Sequence, residues 1–312
     1  MGVRVNVAVF GDLHGRVLLP FYLCARWEQA RGEPIACALC VGDAGIYRGF
    51  YNMEKTSQRW ARRHPEELGF SKFFFRLEPR GTCLARHPTA DHVLAMTRAD
   101  LFFVPGNHEE HAYLDRLFTD YARSLDEPLA VDRAWEGLSA GRCRLGQFAG
   151  YERIYCLPQG RVVALPLGEG TLDVLAINGL EKHTPPDAWR PPPGAPAEVL
   201  LSHETYLGRL AEPGVPRAVW GSERLRELVL RLGPRFHFFG HHHHHYPEVE
   251  LPNYLGGVTR SVGLNQVFFS DHNATINQGC FGVLRLHAEA RFEIVEDGWF
   301  KALRYAECRA WM

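Results

Sequence analysis

Val3 to Phe10 alternates apolar and polar positions and is rich in valine, the period-two pattern of a strand. The turn Gly11–Gly15 follows, and then apolar residues at helical spacing predict a helix over Val17–Arg31. Ile35–Val41 is a continuous apolar run that reads as a second, buried strand, closed by the turn Gly42–Gly45. Leu101–Val104 reads as a third, and Pro105-Gly106-Asn107 turns into a helix near Glu109–Arg123. Further on, Arg153–Leu157, Val162–Leu165, Leu172–Ile177, Glu198–Leu201 and Phe236–Phe239 read as strands. Ser222–Leu232 reads as an amphipathic helix, and Phe281–His287 with Ala290–Val295 as a closing hairpin. Pro-rich Thr184–Pro196 is a loop, with strands continuing on both sides.

Strand, loop and helix alternate early, and strands cluster later. The expected fold class is therefore α/β, two packed mixed β-sheets flanked by helices. Its 312 residues suffice to bury one large core, so residues 1–312 are expected to form a single domain. One segment interrupts this frame. Tyr47–Thr97 is far longer than a strand-to-strand crossover needs. It carries Lys55, Arg59, Arg62, Arg63, Lys72, Arg76, Arg80 and Arg86 among Tyr51, Trp60, Phe70, Phe73, Phe74 and Phe75. Two readings stand. The basic and aromatic residues could hold phosphates and stack bases. Alternatively the segment is an amphipathic cap whose aromatics form a small core and whose arginines are solvated.

The chemistry lies in short motifs, each behind an apolar strand. In order they are Gly11-Asp12-Leu13-His14-Gly15, Gly42-Asp43-Ala44-Gly45, Gly106-Asn107-His108-Glu109, Ser202-His203-Glu204 and Gly240-His241-His242-His243. Loops after parallel strands are where an α/β sheet builds a site. A lone Asp or Asn there is usually a turn or helix cap, and a lone His a satisfied core residue. The ordered set changes that balance. Carboxylate, imidazole and amide oxygen together suit borderline divalent metals such as Mn, Fe or Zn. The run His241–His245 leaves a register choice, His241 with His243 or His242 with His244.

The set resembles the calcineurin-like metallophosphoesterases, whose pattern is D-x-H, G-D, G-N-H-[DE], a lone His and G-H-x-H. That resemblance implies a first metal held by Asp12, His14 and His243, a second held by Asn107, His203 and His241, and Asp43 bridging both. The favoured pair of ions is Mn. His108 would be a general acid for the leaving group, and the nucleophile a metal-bridging hydroxide. The second motif continues Ile46-Tyr47-Arg48-Gly49 and lacks the acidic, Arg-containing signature of serine/threonine protein phosphatases. Near Leu200–His203 and after the third motif the chain is also similar to RNA lariat debranching enzymes, which often carry Cys where Asp12 stands.

Composition narrows partners and location. Lys plus Arg number 35 against 36 Asp plus Glu, so no global basic field points to nucleic acid. No apolar run approaches the about 20 residues of a membrane span, and the short apolar start, interrupted by Asp12, reads as a first strand rather than a signal peptide. Cys37 and Cys40 form a lone C-x-x-C inside an apolar strand, read as buried core thiols. Unpaired thiols suit the reducing cytosol.

The expected substrate is an anionic phosphate ester, first a nucleotide or nucleic-acid diester, with Arg48, Arg59, Arg62, Arg63 and His111 as candidate substrate contacts. His111 could equally lie in a solvated first helical turn. The alternatives are a phosphomonoesterase acting on a small metabolite or phosphoprotein, and a non-catalytic scaffold.

Overall fold

A computed structural model describes residues 5–74, 87–115, 153–167, 170–181, 197–206, 208, 221–286 and 289–312. Its strands form two six-stranded sheets. In the first, β1 (Val5–Phe10), β2 (Ile35–Cys40), β3 (Asp100–Phe103) and β4 (Ile154–Cys156) run parallel. The C-terminal hairpin β11 (Phe281–Leu286) and β12 (Arg291–Ile294) is added antiparallel beside β1. In the second, β6 (Thr171–Ile177), β7 (Val199–Ser202), β8 (Phe236–Phe239) and β10 (Val258–Gly263) are parallel. Its antiparallel edges are β5 (Val162–Pro166) and β9 (Tyr246–Pro252).

Strand alternation sets the layers. Val7, Val9, Leu39 and Phe102 of the first sheet meet Val174, Leu201 and Phe238 of the second in one buried core. The neighbours Ala8, Phe10, Cys40 and Phe103 point the other way, onto Phe21 and Trp27 of helix α1 (Leu19–Arg31). On the far side, Leu175, Ile177 and Leu200 pack against Leu225, Leu228 and Val229 of the helix Glu223–Leu232. The result is helix, sheet, sheet, helix, the expected α/β class. Each fully buried Leu, Val or Phe contributes about 1.5–3 kcal/mol of transfer free energy. Helix α1 stops at Gly32, left-handed at φ 67, whose N–H closes on Glu28 O.

Among the described residues, the α-helices α2 (Lys55–Ala61), α3 (Gly69–Phe74) and α4 (Pro88–Leu94) lie between β2 and β3. Here the structure divides the aromatics of the segment. Phe70, Phe73 and Phe74 are buried in the helix-side core and have no face free for a base. Tyr51 and Trp60 are exposed. Phe75, Arg76, Arg80 and Arg86 lie outside the described residues, as do Thr184–Pro196 and the helix expected beyond residue 115. The hairpin β9–β10 was not expected. β9 is largely exposed at a sheet edge, and its short alternation over Glu248–Leu251 is flanked by Pro247 and Pro252, which argue against a strand. Phe300, Leu303, Cys308 and Met312 near the C-terminus are buried in the helix-side core. Among the described residues no helix is long and apolar enough to cross a membrane, and Cys24, Cys37, Cys40, Cys156, Cys280 and Cys308 are buried free thiols.

Candidate functional site

The motif loops leave the C-terminal ends of β1, β2 and β3 in one sheet and β7 and β8 in the other. The ends are level: Phe10 pairs with Cys40, Cys40 with Phe103, and Ser202 with Phe239. Asp12, His14, Asp43, Asn107, His203, His241 and His243 therefore converge on one spot between the sheets.

They converge in two groups with a shared member. Ligand atoms of Asp12, His14, Asp43 and His243 all lie within 4.8 Å of one another, and so do those of Asp43, His203 and His241. Asn107 Oδ1 lies 3.0 Å from His203 Nε2, which adds it to the second group. His241 and His243 thus both face the centre, each in a different group. His244 is exposed. His245 does not simply face solvent, since its Nδ1 lies 3.0 Å from Gly263 O.

The backbone is bent to make this possible. Among the described residues the non-glycine positions with positive φ are His14, Asp43, His241, His243 and Ala274, at 46°, 41°, 69°, 52° and 53°. All but Ala274 are candidate ligands, and each such conformation costs on the order of 1–3 kcal/mol. Glycines supply the close approaches. A Cβ on Gly240 would fall 2.1 Å from Asp12 Oδ1, and one on Gly106 would fall 2.1 Å from Asp43 Oδ1.

The donor set calls for a cation. Asp12 Oδ1 and Asp43 Oδ2 are buried and accept no hydrogen bond, a costly state for a carboxylate oxygen. His14 Nε2 and His243 Nε2 face each other at 3.0 Å. His243 Nε2 is 3.4 Å from Asp12 Oδ2, and His203 Nε2 is 3.4 Å from Asp43 Oδ2. Buried carboxylate oxygens and imidazole nitrogens aimed at common points suit divalent ions. Burial alone would raise the Asp43 carboxyl, but His203, His108 and His14 hold it far below the usual carboxylate range. Burial and neighbouring His203 push His241 down to about 3, so it is a neutral, ligand-ready imidazole.

Neighbouring carboxylates and hydroxyls fix the loops. Glu109 accepts from Ala44 N at 2.7 Å and Ile46 N at 2.6 Å, clamping the Asp43 turn to the Asn107 turn. Burial, with Asp43 nearby, pushes Glu109 up to about 8 against those backbone donors. His108 N donates to Asp43 Oδ1 at 2.7 Å.

Two residues of α2 and the turn after it enter the site without any motif to announce them. Ser57 Oγ is 2.9 Å from His108 Nδ1 and 3.2 Å from Tyr47 OH. Glu67 Oε1 is 3.4 Å from His14 Nδ1. Burial opposes charge on His14, yet Glu67 together with Asp43 and Asp12 lifts it to about 9. The only signal for Ser57 and Glu67 was the segment's place beside the Asp43 turn.

A cavity of about 240 Å³ opens onto this centre, with His14, Glu67, His108 and His243 at its base and Trp60, His64, Gln266, Phe268 and Asp271 along its walls. A second, of about 330 Å³, adjoins it through His64, Phe268 and Asp271 and includes Arg63. The other candidate substrate contacts lie elsewhere. Arg48 is paired with Glu110, its Nε 2.9 Å from Oε1. Arg59, Arg62 and His111 are exposed and line neither cavity, and Arg62 lies over Phe50 at 5.7 Å.

Residues 5–245 match the family model described as calcineurin-like phosphoesterase. Among solved structures, a Thermus thermophilus protein is similar at 11% identity, covering 94% of this chain and 99% of its own, with TM-score 0.43. A predicted phosphoesterase of Streptococcus pneumoniae shows 10% identity, coverage of 95% and 91%, and TM-score 0.33. A purple acid phosphatase from yellow lupin (Lupinus luteus) seeds shows 12% identity, coverage of 92% and 50%, and TM-score 0.38. No curated protein matches.

Proposed function

The chain belongs to the calcineurin-like phosphoesterase family, and from that premise we propose that it is a binuclear metal-dependent phosphodiesterase acting on a nucleotide or nucleic-acid ester. Family and ligand cluster together support the coarser statement, a metal-dependent phosphoesterase. The observation that carries the binuclear reading is the pair of ligand groups sharing Asp43. Asp12, His14 and His243 would hold one cation, Asn107, His203 and His241 the other, and Asp43 would contribute to both. Such a pair of ions, with Mn favoured, supplies an activated water and neutralises charge on the phosphoryl oxygens.

The chain's own residues do the rest. His108 donates a proton from Nε2 to the leaving oxygen as its bond to phosphorus breaks. In the protonated ring Nδ1–H donates a hydrogen bond to Ser57 Oγ, which also bonds Tyr47 OH, so the ring is fixed and Nε2 is left for the substrate. Burial of His108 lowers its pKa, which makes it the stronger acid. Ser57→Ala is expected to lower kcat about tenfold with KM little changed, the kinetic equivalent of one hydrogen bond. Steady-state rates on the metal-loaded protein check this. Glu67 orients His14 from behind as an outer carboxylate. Glu67→Gln is expected to weaken metal affinity about 10–100-fold, read by calorimetric titration with Mn.

The diester preference is supported by the exposed Arg59 and Arg62 and the cavity-lining Arg63. Hydrolysis of bis-p-nitrophenyl phosphate against p-nitrophenyl phosphate by Mn-loaded protein tests it. The expected result is a higher kcat/KM for the diester. A strong monoester preference would replace this reading with a phosphomonoesterase. Neutralising Arg59, Arg62 and Arg63 together should weaken turnover of nucleotide esters and flatten its salt dependence. An unchanged salt dependence would remove nucleic acid from the proposal. The buried free thiols support a cytosolic setting.

A further inference from the structure

The walls of the cavity above the centre differ in chemistry from its base. The base is polar and carries the ligand-type residues and His108. Three aromatic rings form one side, and they touch in sequence. The Trp60 and His64 rings stack at 5.3 Å with 28° between planes, and His64 meets Phe268 edge-on at 5.2 Å. Trp60 is 49% exposed, although its neighbours on the same segment, Phe70, Phe73 and Phe74, are buried in the core. An indole held at a cavity mouth, with one face packed on His64, leaves its remaining surface for a planar guest.

We infer that Trp60, His64 and Phe268 form a platform for the base of a single nucleotide unit whose phosphate sits over Asp43 and His108. The inference deepens the phosphoesterase reading and rests on it for the position of the phosphate. The platform's own argument is separate. Base-to-aromatic stacking is sequence-tolerant because every base has a π-face. Rigid aromatic rings also offer contact area at little entropic cost. The cavity of about 240 Å³ matches one small ligand, not a folded strand. Gln266 adds an amide that both donates and accepts, and Asp271 adds an acceptor, which suit ribose hydroxyls or a base edge. A sugar phosphate without a base would reach the polar end and leave the aromatic wall wet.

The test compares two ligands that differ only by adenine. The phosphonate analogues of AMP and of ribose 5-phosphate, which resist hydrolysis, are titrated calorimetrically into Mn-loaded wild type, Trp60→Ala and Trp60→Phe. Trp60 is an exposed residue of α2, so neither substitution opens the core. Wild type is expected to bind the adenine ligand at least about fivefold more tightly. Trp60→Ala should bring the ratio near one, and Trp60→Phe should keep most of it. Equal affinities in wild type, a preference that survives Trp60→Ala, or no measurable binding of the adenine ligand would overturn the platform. Hydrolysis of bis-p-nitrophenyl phosphate is measured alongside. Turnover without an adenine preference refutes the platform alone. An adenine preference without turnover upholds the platform and refutes the reaction.

Discussion

Replacing His108 by alanine is expected to slow hydrolysis by about 10²–10⁴-fold while the protein keeps its metals. The reason is geometric. His108 lines the cavity and bonds Ser57 through Nδ1, but belongs to neither of the two groups that share Asp43. Its ring can therefore be removed without opening either ligand set. The loss should depend on the leaving group. An alkyl or ribose oxygen needs the proton from Nε2, whereas p-nitrophenolate leaves readily without it. The rate ratio of wild type to variant should then shrink as the leaving group becomes more acidic. A loss of the same size across a series of aryl and alkyl esters would show that His108 acts in some other way.

Asp43→Asn should be more damaging still, lowering kcat/KM by more than about 10⁴-fold, beyond what loss of a general acid alone costs. Asparagine isolates the charge. It tolerates the left-handed backbone that Asp43 adopts at φ 41, and its amide oxygen can still accept from His108 N. What disappears is the negative charge common to the two ligand groups. The surrounding His14, His108 and His203 would then stand against one fewer anion, and both cations would bind less tightly. Thermal unfolding should shift little by comparison, because the turn around Asp43 keeps its bonds to Leu13, His14 and Glu109. A variant with near-normal turnover would contradict the bridging role.

Much of this arrangement was legible in the chain because it obeys local rules. β1, β2 and β8 carry apolar runs bounded by glycine, and the residues just past them are the ones that converge. The G-H-x-H pattern picked the register of the histidine run, and a side chain at Gly240 would strike Asp12. Other features had no local signature. The β9 strand is exposed at an edge, and its four-residue alternation lies between two prolines. Ser57 and Glu67 lie far along the chain from the partners they touch, His108 and His14, and ordinary-looking helix and turn sequence surrounds them. Phe70, Phe73 and Phe74 looked like the other aromatics in their segment. Only the packing shows that they belong to the core and that Trp60 does not.

The segment between β2 and β3 takes a fuller part than a cover would. Through Ser57 it steadies His108, through Glu67 it backs His14, and through Trp60 and His64 it walls the cavity. All of these roles presuppose the shared-carboxylate centre, so that is where measurement should begin. Wild type and Asp43→Asn are loaded with Mn, freed of excess metal and assayed for metal per chain by mass spectrometry. About two ions per wild-type chain are expected, and fewer than about one in Asp43→Asn. A wild type that holds one ion or none, or an Asp43→Asn variant that retains two, would contradict the shared-carboxylate centre.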